Sequence, residues 1–325
     1  MNDEKIKVSI VLLAYKHAKY IEQCLDSILA QKVNFKYEII VGDDCSNDGT
    51  AEILQSYKNR YPDIFILMIN EKNLGATRNA YYATELCRGE YLVGGECDDF
   101  WIDENRLQKQ VDFLDSHPEY VAVCSNFVNV DPNGENPYIS MLSWQVNKAY
   151  SMKDYLRYGM VLHGNTFMRR DVTPRTGDEY KKLRFSAPSM GDIITRTLLY
   201  DKGKVYCLPD VMHAHREGSA DKTSFFSNQI TKAIEYSYMY CTIVDAMESY
   251  FNGKYKLGKL KANRTGGIIL KAFVGDYKLD KVEYKKYLTS LPVGLRLLSY
   301  ERFIQKGIRA VAHKIGRRLN MFYKN

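Results

Sequence analysis

Apolar positions in the first 130 residues alternate between short continuous runs and helical stripes. Val8–Ala14 is almost wholly apolar, as expected of a strand buried on both faces. Residues 20–31 then carry Ile21, Cys24, Leu25 and Ile28, the spacing of one helix face. The same alternation gives a strand at 38–41, a helix at 51–60, a strand at 65–69 and a helix at 76–86 stopped by Arg88-Gly89. A strand at 91–93 and a helix at 106–116, with Leu107, Val111 and Leu114 on one face, complete the series. Strand and helix thus alternate four times, which predicts an α/β fold built on a parallel sheet flanked by helices. A further strand is expected at 120–130, followed by the turn Asp131-Pro132-Asn133-Gly134. Residues 136–220 mix short strands and helices without a clean period. Residues 225–251 and 291–322 read as helical.

Charge divides the chain. The total is 46 Lys+Arg against 39 Asp+Glu, but residues 253–325 hold 18 Lys+Arg and only 4 Asp+Glu. A mildly acidic globule therefore carries a basic C-terminal extension. At 45% apolar residues a large core is attainable. No apolar run approaches the ~18 residues that a membrane-spanning helix needs. Lys5 and Lys7 precede the first run as in a signal peptide, but no small-residue cleavage site follows. Seven cysteines without a Cys-x-x-Cys pair argue against zinc and disulfide frameworks and for reduced thiols. Asn263-Arg264-Thr265 fits a glycosylation acceptor, a tripeptide that chance often supplies.

The candidate chemistry lies where strands should end. Asp43-Asp44-Cys45-Ser46-Asn47-Asp48-Gly49-Thr50 closes the second strand, and Gly94-Gly95-Glu96-Cys97-Asp98-Asp99-Phe100-Trp101 closes the fourth. In an open parallel sheet, ligands bind beyond the carboxyl ends of the strands. Crowded carboxylates resist ionising together unless a cation is present. Mg²⁺ takes oxygen ligands and is typically shared with substrate phosphates, so a metal-bound diphosphate is the first reading. Gly94 and Gly95 would let that diphosphate approach the backbone. Taken alone, the 43–50 segment is equally a plain βα turn with a helix cap.

Val8-Ser9-Ile10-Val11 through Tyr15, the 43–50 cluster, Asn73-Leu74-Gly75 with Arg78, and Glu96–Trp101 together resemble the ordered motifs of family 2 glycosyltransferases. The match is strong over residues 6–115 and looser to about 220. The resemblance implies the GT-A fold, a nucleotide-sugar donor and a divalent cation, Mg or Mn. It places Asp43 and Asp44 at the nucleotide, with Asp44 hydrogen-bonding uracil and hence a UDP-sugar. It sets Tyr15 near the base, Arg78 toward the phosphates, and Glu96 and Asp98 at the donor, with Asp98 and Asp99 holding the metal. Glu96 stands where many relatives carry Asp, which leaves direct ligation by it open.

Ser189-Met190-Gly191-Asp192 resembles the family's base-supplying element at a helix start, which makes Asp192 the catalytic base of an inverting transfer. Read locally, Asp192 is a helix cap. Asp210–Arg216 resembles a family strand ending in Tyr-Arg, with His215 in place of Tyr; His215 and Arg216 are assigned to the donor. His213 and His215 share one face of such a strand, where they would ligate metal or touch the diphosphate, or simply be surface histidines. His163 is a weaker candidate for the acceptor pocket.

The implied organisation is a GT-A catalytic domain over 1–222, with a nucleotide-sugar half at about 1–115 and an acceptor half at about 116–222, then a helical region over 223–325. The acceptor expected is a saccharide or lipid-linked oligosaccharide in surface-polysaccharide synthesis. The location expected is cytoplasmic, on the inner face of the membrane. Leu291, Leu295, Leu298, Ile304, Ile308, Val311, Ile315, Leu319 and Phe322 form a stripe with basic residues largely off it. That suits an anionic membrane surface and equally a helix packed on the protein; without a motif, nucleic acid is not expected. A nucleotidyltransferase or dehydrogenase would need a glycine-rich loop after the first strand, which residues 14–18 lack. A degenerate binding or scaffold subunit is the remaining alternative.

Overall fold

Val8–Ala14 forms β1, the axis of the sheet in a computed structural model that describes residues 5–141, 143–158, 165–217, 232–273 and 280–322. β2 (Tyr37–Asp43) and β4 (Tyr91–Glu96) pair parallel on either side of it, and β3 (Phe65–Ile69) pairs parallel outside β2. The crossovers are α1 (Ile21–Leu29), α2 (Thr50–Arg60) and α3 (Ala76–Glu85). Ile10, Leu12, Ile39 and Val41 meet the stripe Ile21, Cys24, Leu25 and Ile28 on one face of the sheet. Val11, Ile40 and Leu92 meet Ala83 and Cys87 on the other. Both faces are covered, which is why these strands read as continuous apolar runs. The register aligns Ala14 with Asp43 and Leu13 with Glu96, so the two acidic clusters leave the sheet along one carboxyl edge.

The chain then continues as β5 (Phe100–Trp101), α4 (Arg106–Ser116), β6 (Tyr120–Val130), β7 (Tyr138–Ile139), β8 (Lys148–Tyr150) and α5 (Met152–Tyr158). β9 (Phe167–Arg170), α6 (Asp178–Arg184), α7 (Gly191–Lys202) and β10 (Lys204–Arg216) follow. The sheet order is β3-β2-β1-β4-β9-β6-β10-β5, with β7 on β6 and β8 on β10. β9 lies antiparallel to both β4 and β6, so the all-parallel pairing of the first half gives way to a mixed second half. β10 runs parallel to β6, with register shifts around Pro209, which has no N–H to give the ladder. Its far end sets His213 opposite Trp101 and Ala214 opposite Phe100. A strand that ends 116 residues further along the chain thereby reaches the acidic cluster.

Residues 5–155 and 165–217 belong to one compact unit, and the residues described from 232 onward to a second. The second holds α8 (Ala233–Tyr250), α9 (Gly258–Phe273), α10 (Lys281–Ser290) and α11 (Val293–Phe322). α9 and α10 lie within the region expected to be helical, although no pattern had placed them individually; the Asp280 side chain caps α10 by accepting from the N–H groups of Val282 and Glu283. α9 packs close to α11 through Gly266, where an added Cβ would lie 2.8 Å from Ser299 O and Phe303 N. Helix α11 runs unbroken through Gly307 and Gly316.

The stripe read along residues 291–322 splits in two. Leu291 is buried, Leu295 faces Gly258 and Leu298 is half-buried. Val293, Leu297, Tyr300, Ile304 and Ile308 are exposed instead. The side chains of Val311, Ile315, Leu319 and Phe322, and the whole of His163, lie outside the described residues. Among those residues no helix is long and apolar enough to cross a membrane. All seven cysteines are free thiols. Asn263 and Thr265 are buried in α9, which removes the glycosylation reading of that tripeptide.

Candidate active site

The loops after β1 and β2 are tied together by the polar residues of the 43–50 segment. Ser46 Oγ accepts from Lys16 N–H, Thr50 Oγ1 from His17 N–H, and Asp48 from Ala18 N–H. This clamp leaves the Tyr15 ring exposed at the strand end. Asp44 is buried and fully engaged. Its Oδ1 accepts from Leu74 N–H (2.7 Å) and the Asn70 amide (3.1 Å), and its Oδ2 from Gly75 N–H (2.8 Å). It is a brace for the loop that opens α3, and its oxygens point into protein. Asp43 differs: Oδ2 accepts from Ser46 N–H (3.0 Å), while Oδ1 is buried with no partner. Arg78 is exposed on the first turn of α3, its guanidinium 5.0 Å from the Phe185 ring.

At the end of β4, Glu96, Asp98 and Asp99 take three different environments. Asp99 was expected to be an exposed ligand, but it is 3% exposed. Its oxygens accept from His213 Nε2–H (3.0 Å), His215 Nδ1–H (3.1 Å), the backbone N–H of Arg216 (2.9 Å) and the Asn165 amide. Burial opposes ionisation of Asp99, but the two histidines hold its carboxyl well below the ordinary range. Asp98 lacks such partners, and its Oδ1 is buried and unpaired. Burial, then repulsion from Asp99, raises its pKa, with His17 opposing. The Glu96 surface is open to solvent, yet the surrounding protein and then Asp98 and Asp99 push its carboxyl up to about 8. A Cβ added at Gly94 would meet nothing within 4 Å, so the backbone beside this cluster is open to a ligand.

β10 supplies the counter-charges. Burial disfavours the charged form of His215, but Asp99, Asp98 and Glu96 outweigh it and raise the imidazole to about 9. His213 is buried, which lowers its pKa. Its Nδ1 lies 3.4 Å from Arg106 Nη1; the guanidinium can only donate, so the network assigns the His213 proton to Nε2, facing Asp99. Arg106 is wholly buried, stacks 4.2 Å over Trp101 and donates to Asn165 O (2.7 Å). Sequence reasoning missed Arg106, Gln110 and Asn165; only the adjacency of Arg106 and Gln110 to the stripe Leu107, Val111 and Leu114 hinted at burial.

Arg216, assigned to the donor from sequence, is also a brace. Its guanidinium is buried between Tyr20 and Phe100 and donates to Asp98 O (2.7 Å), Pro132 O and Gln23. Those donors are spent on the protein, so its side chain is not available to a phosphate.

Asp192 sits in the first turn of α7, exposed, and pairs with Arg196 one turn on. No side-chain cap bond forms at this helix start. Pro188 O, just upstream, accepts from Thr77 N–H and lies 3.2 Å from where a Gly75 Cβ would be. The approach to α7 is thereby fastened to the α3 start, which Asp44 also holds.

The chemistry of these donors suits a hard divalent cation. Asp98 has a buried oxygen without a partner and Glu96 stands beside it, both oxygen ligands. Among the described residues no three His, Cys, Asp or Glu side chains converge on one metal position.

Comparison with known proteins adds a lineage. Residues 9–176 match the family model described as glycosyl transferase family 2. The chain is 38% identical to the uncharacterized protein Rv1520 of Mycobacterium tuberculosis over 140 residues, 42% of this chain and 40% of that protein. It thus spans well under half the length of that relative. It is 28% identical over 235 residues to the putative glycosyltransferase EpsE of Bacillus subtilis, covering 70% of this chain and 80% of that one. In fold it matches residues 1–349 of TarS from S. aureus with a TM-score of 0.62 at 17% identity, over 90% of this chain and 81% of the other.

Proposed function

Because the chain belongs to glycosyl transferase family 2, we propose that it transfers a sugar, with inversion, from a UDP-sugar to a hydroxyl of a saccharide or lipid-linked oligosaccharide. The reaction would serve surface-polysaccharide synthesis at the inner face of a membrane. One observation carries the reading: Asp43 Oδ1 and Asp98 Oδ1 are buried without partners at the carboxyl edge of the parallel half-sheet. Leaving such an atom unpaired costs about 1–3 kcal/mol, and ligand binding at that edge would relieve it.

Asp43 is suited to accept the N3–H of uracil, a donor that cytosine lacks. Asp44 acts behind it by holding the 70–75 loop. The exposed Tyr15 ring offers a face to the base, and exposed Arg78 a guanidinium to phosphate oxygens. Asp98, with Glu96, would hold Mg or Mn; when bound, that ion neutralises charge on the leaving diphosphate. His215 adds a positive charge beside the same cluster. Asp192 would accept the acceptor proton as the hydroxyl attacks from the face opposite the diphosphate. A lone base without a protein nucleophile implies inversion. TarS has been solved with UDP-GlcNAc and with UDP, which supports a uridine donor on this fold. Relatives named for teichuronic acid and poly(ribitol-phosphate) glycosylation support a surface-polymer acceptor.

The test is a thermal-shift panel of UDP- and GDP-sugars with Mn²⁺, followed by measurement of UDP release with acceptor saccharides. Uridine donors should raise the melting temperature, and release should need both cation and acceptor. Stronger stabilisation by guanosine donors would overturn the uracil assignment. Binding without release would leave a binding subunit in place of an enzyme.

A further inference from the structure

Asp192 is held by a cation that solvent hardly reaches. The Asp192 side chain is 47% exposed, whereas that of Arg196, one turn further along α7, is 6% exposed. Arg196 Nη2 donates to Asp192 Oδ2. Fully exposed pairs contribute little, because two flexible side chains must be ordered in water to make them. Here packing has already ordered the cation. Arg196 lies near Tyr155 and Tyr200, whose rings stack 4.9 Å apart. Burial raises the pKa of both tyrosines, and the Arg196 charge opposes that rise. The acid precedes the cation by four residues, the order favoured on a helix. A second buried arginine grips the backbone beneath Asp192. Arg184, the last residue of α6, donates from Nη1 to Gly191 O (2.6 Å) and Thr195 Oγ1 (3.1 Å). A Cβ at Gly191 would lie 3.1 Å from Arg184 Cζ, so the guanidinium is pressed against the first turn of α7.

We propose that Arg196 is the positioning residue for the base Asp192: it fixes Oδ2 and leaves Oδ1 to take the proton of the acceptor hydroxyl. The hydrogen bond described for Asp192 engages Oδ2 alone, and the carboxylate caps no N–H at the helix start. An unheld aspartate on a first turn would move among rotamers, and a displacement of about 1 Å is enough to cost a large part of a base's contribution. With Arg184 fixing the turn and Arg196 fixing the carboxylate, one oxygen keeps a single position. In the transfer, the hydroxyl oxygen bonds to the anomeric carbon as its proton passes to Oδ1, and the bond to the diphosphate breaks with UDP taking the electron pair. The inference rests on the transferase reading above and adds the group through which Asp192 acts.

The test is a double-mutant cycle on the full chain: the parent, R196M, D192N and R196M/D192N. Turnover is read as UDP release from UDP-GlcNAc, or from the uridine donor that stabilises the protein most, with Mn²⁺ and acceptor saccharides. R196M should lower kcat by roughly tenfold to a hundredfold, with UDP affinity and acceptor KM close to the parent's. In the D192N background the same change should cost little, because groups that act as a unit are not additive. R196K keeps the charge but not the planar fork, so it should recover part of the turnover. If R196M fails to fold, R196K takes its place in the cycle, and its smaller loss should likewise vanish beside D192N. Equal fractional losses with and without the Asp192 carboxylate would mark Arg196 as structural and overturn the inference, leaving the base assignment standing. D192N with parental turnover overturns the base assignment and the inference together, and a parent that releases no UDP from any uridine donor overturns the transferase reading itself.

Discussion

Replacing Asp99 by alanine should loosen the fold, whereas replacing Asp98 by alanine should not. Asp99 is the acceptor for two histidine N–H groups, the backbone N–H of Arg216 and the Asn165 amide, all at the junction of β4, β5 and β10. Its removal leaves those donors unpaired, each at about 1–3 kcal/mol. It also leaves His215, which the cluster holds charged, and Arg106 with less compensation. Relaxation and the relief of burying a carboxylate reduce the total to about 3–5 kcal/mol, the range for breaking a buried ion pair from one side. At about 2–4 °C per kcal/mol, the melting temperature should fall by roughly 6–20 °C. Asp98 is the opposite case. Its Oδ1 has no partner to lose, and its charge repels Glu96 and Asp99. Asp98→Ala should therefore melt at or above the parent when metal is chelated, while losing the Mn²⁺-dependent part of UDP affinity. Thermal unfolding in EDTA and calorimetry of UDP with and without Mn²⁺ read the two effects separately. If Asp99→Ala melts with the parent and loses only metal-dependent binding, the division of roles is wrong.

Asp43→Ala should weaken UDP binding with little change in melting temperature in calorimetry and thermal unfolding. Asp44→Ala should lower both, because it frees Leu74, Gly75 and Asn70 together. Asp192→Asn should keep UDP affinity and lower transfer turnover by roughly 10²–10⁴, the usual contribution of a positioned base; a parallel loss of binding would mark a structural residue. Metal-free protein should lose stability as pH rises from 6.5 toward 9. Glu96 is raised from 4.5 to about 8 and His215 from 6.5 to about 9, so the folded state holds more protons than the unfolded one across that window. Melting curves across pH should show this decline, and a flat or rising profile would contradict the clustering of these groups.

Much of the fold was legible because local and tertiary demands agree there. β1, β3, α4 and β6 have the bounds their apolar patterns gave, since each packs a face or faces defined by its own period. Between residues 136 and 203 the strands are two to four residues long and pair antiparallel at the sheet's irregular half, too short to show a period. β10 was obscured by Pro209 and its register shifts. The acids were visible as a cluster, but their division of labour was not. Asp99 differs from Asp98 through Asn165, His213, His215 and Arg216, and no spacing rule reaches that far. Arg106 went unremarked because nothing local announces a guanidinium held by Trp101 and His213. α11 misled for another reason: it carries apolar residues on two sides, and a single stripe merged the packed side with the exposed one.

The fold therefore sorts like residues into unlike roles through the partners that β10 brings. Two adjacent aspartates start with the same chemistry, and the one that turns toward β10 is converted into a fastening. Its neighbour keeps a buried oxygen without a hydrogen-bond partner. The same sorting occurs at the end of β2, where Asp44 fastens the α3 loop and Asp43 keeps the unpaired oxygen. In each pair, the fastening holds a loop or strand that borders the carboxylate with the buried, unpaired oxygen, so the cost of leaving that oxygen unpaired falls on a braced frame. A flexible frame would close over the orphan oxygen and satisfy it from the protein. One acid of each adjacent pair thus braces the backbone beside the other, whose oxygen the protein leaves unsatisfied.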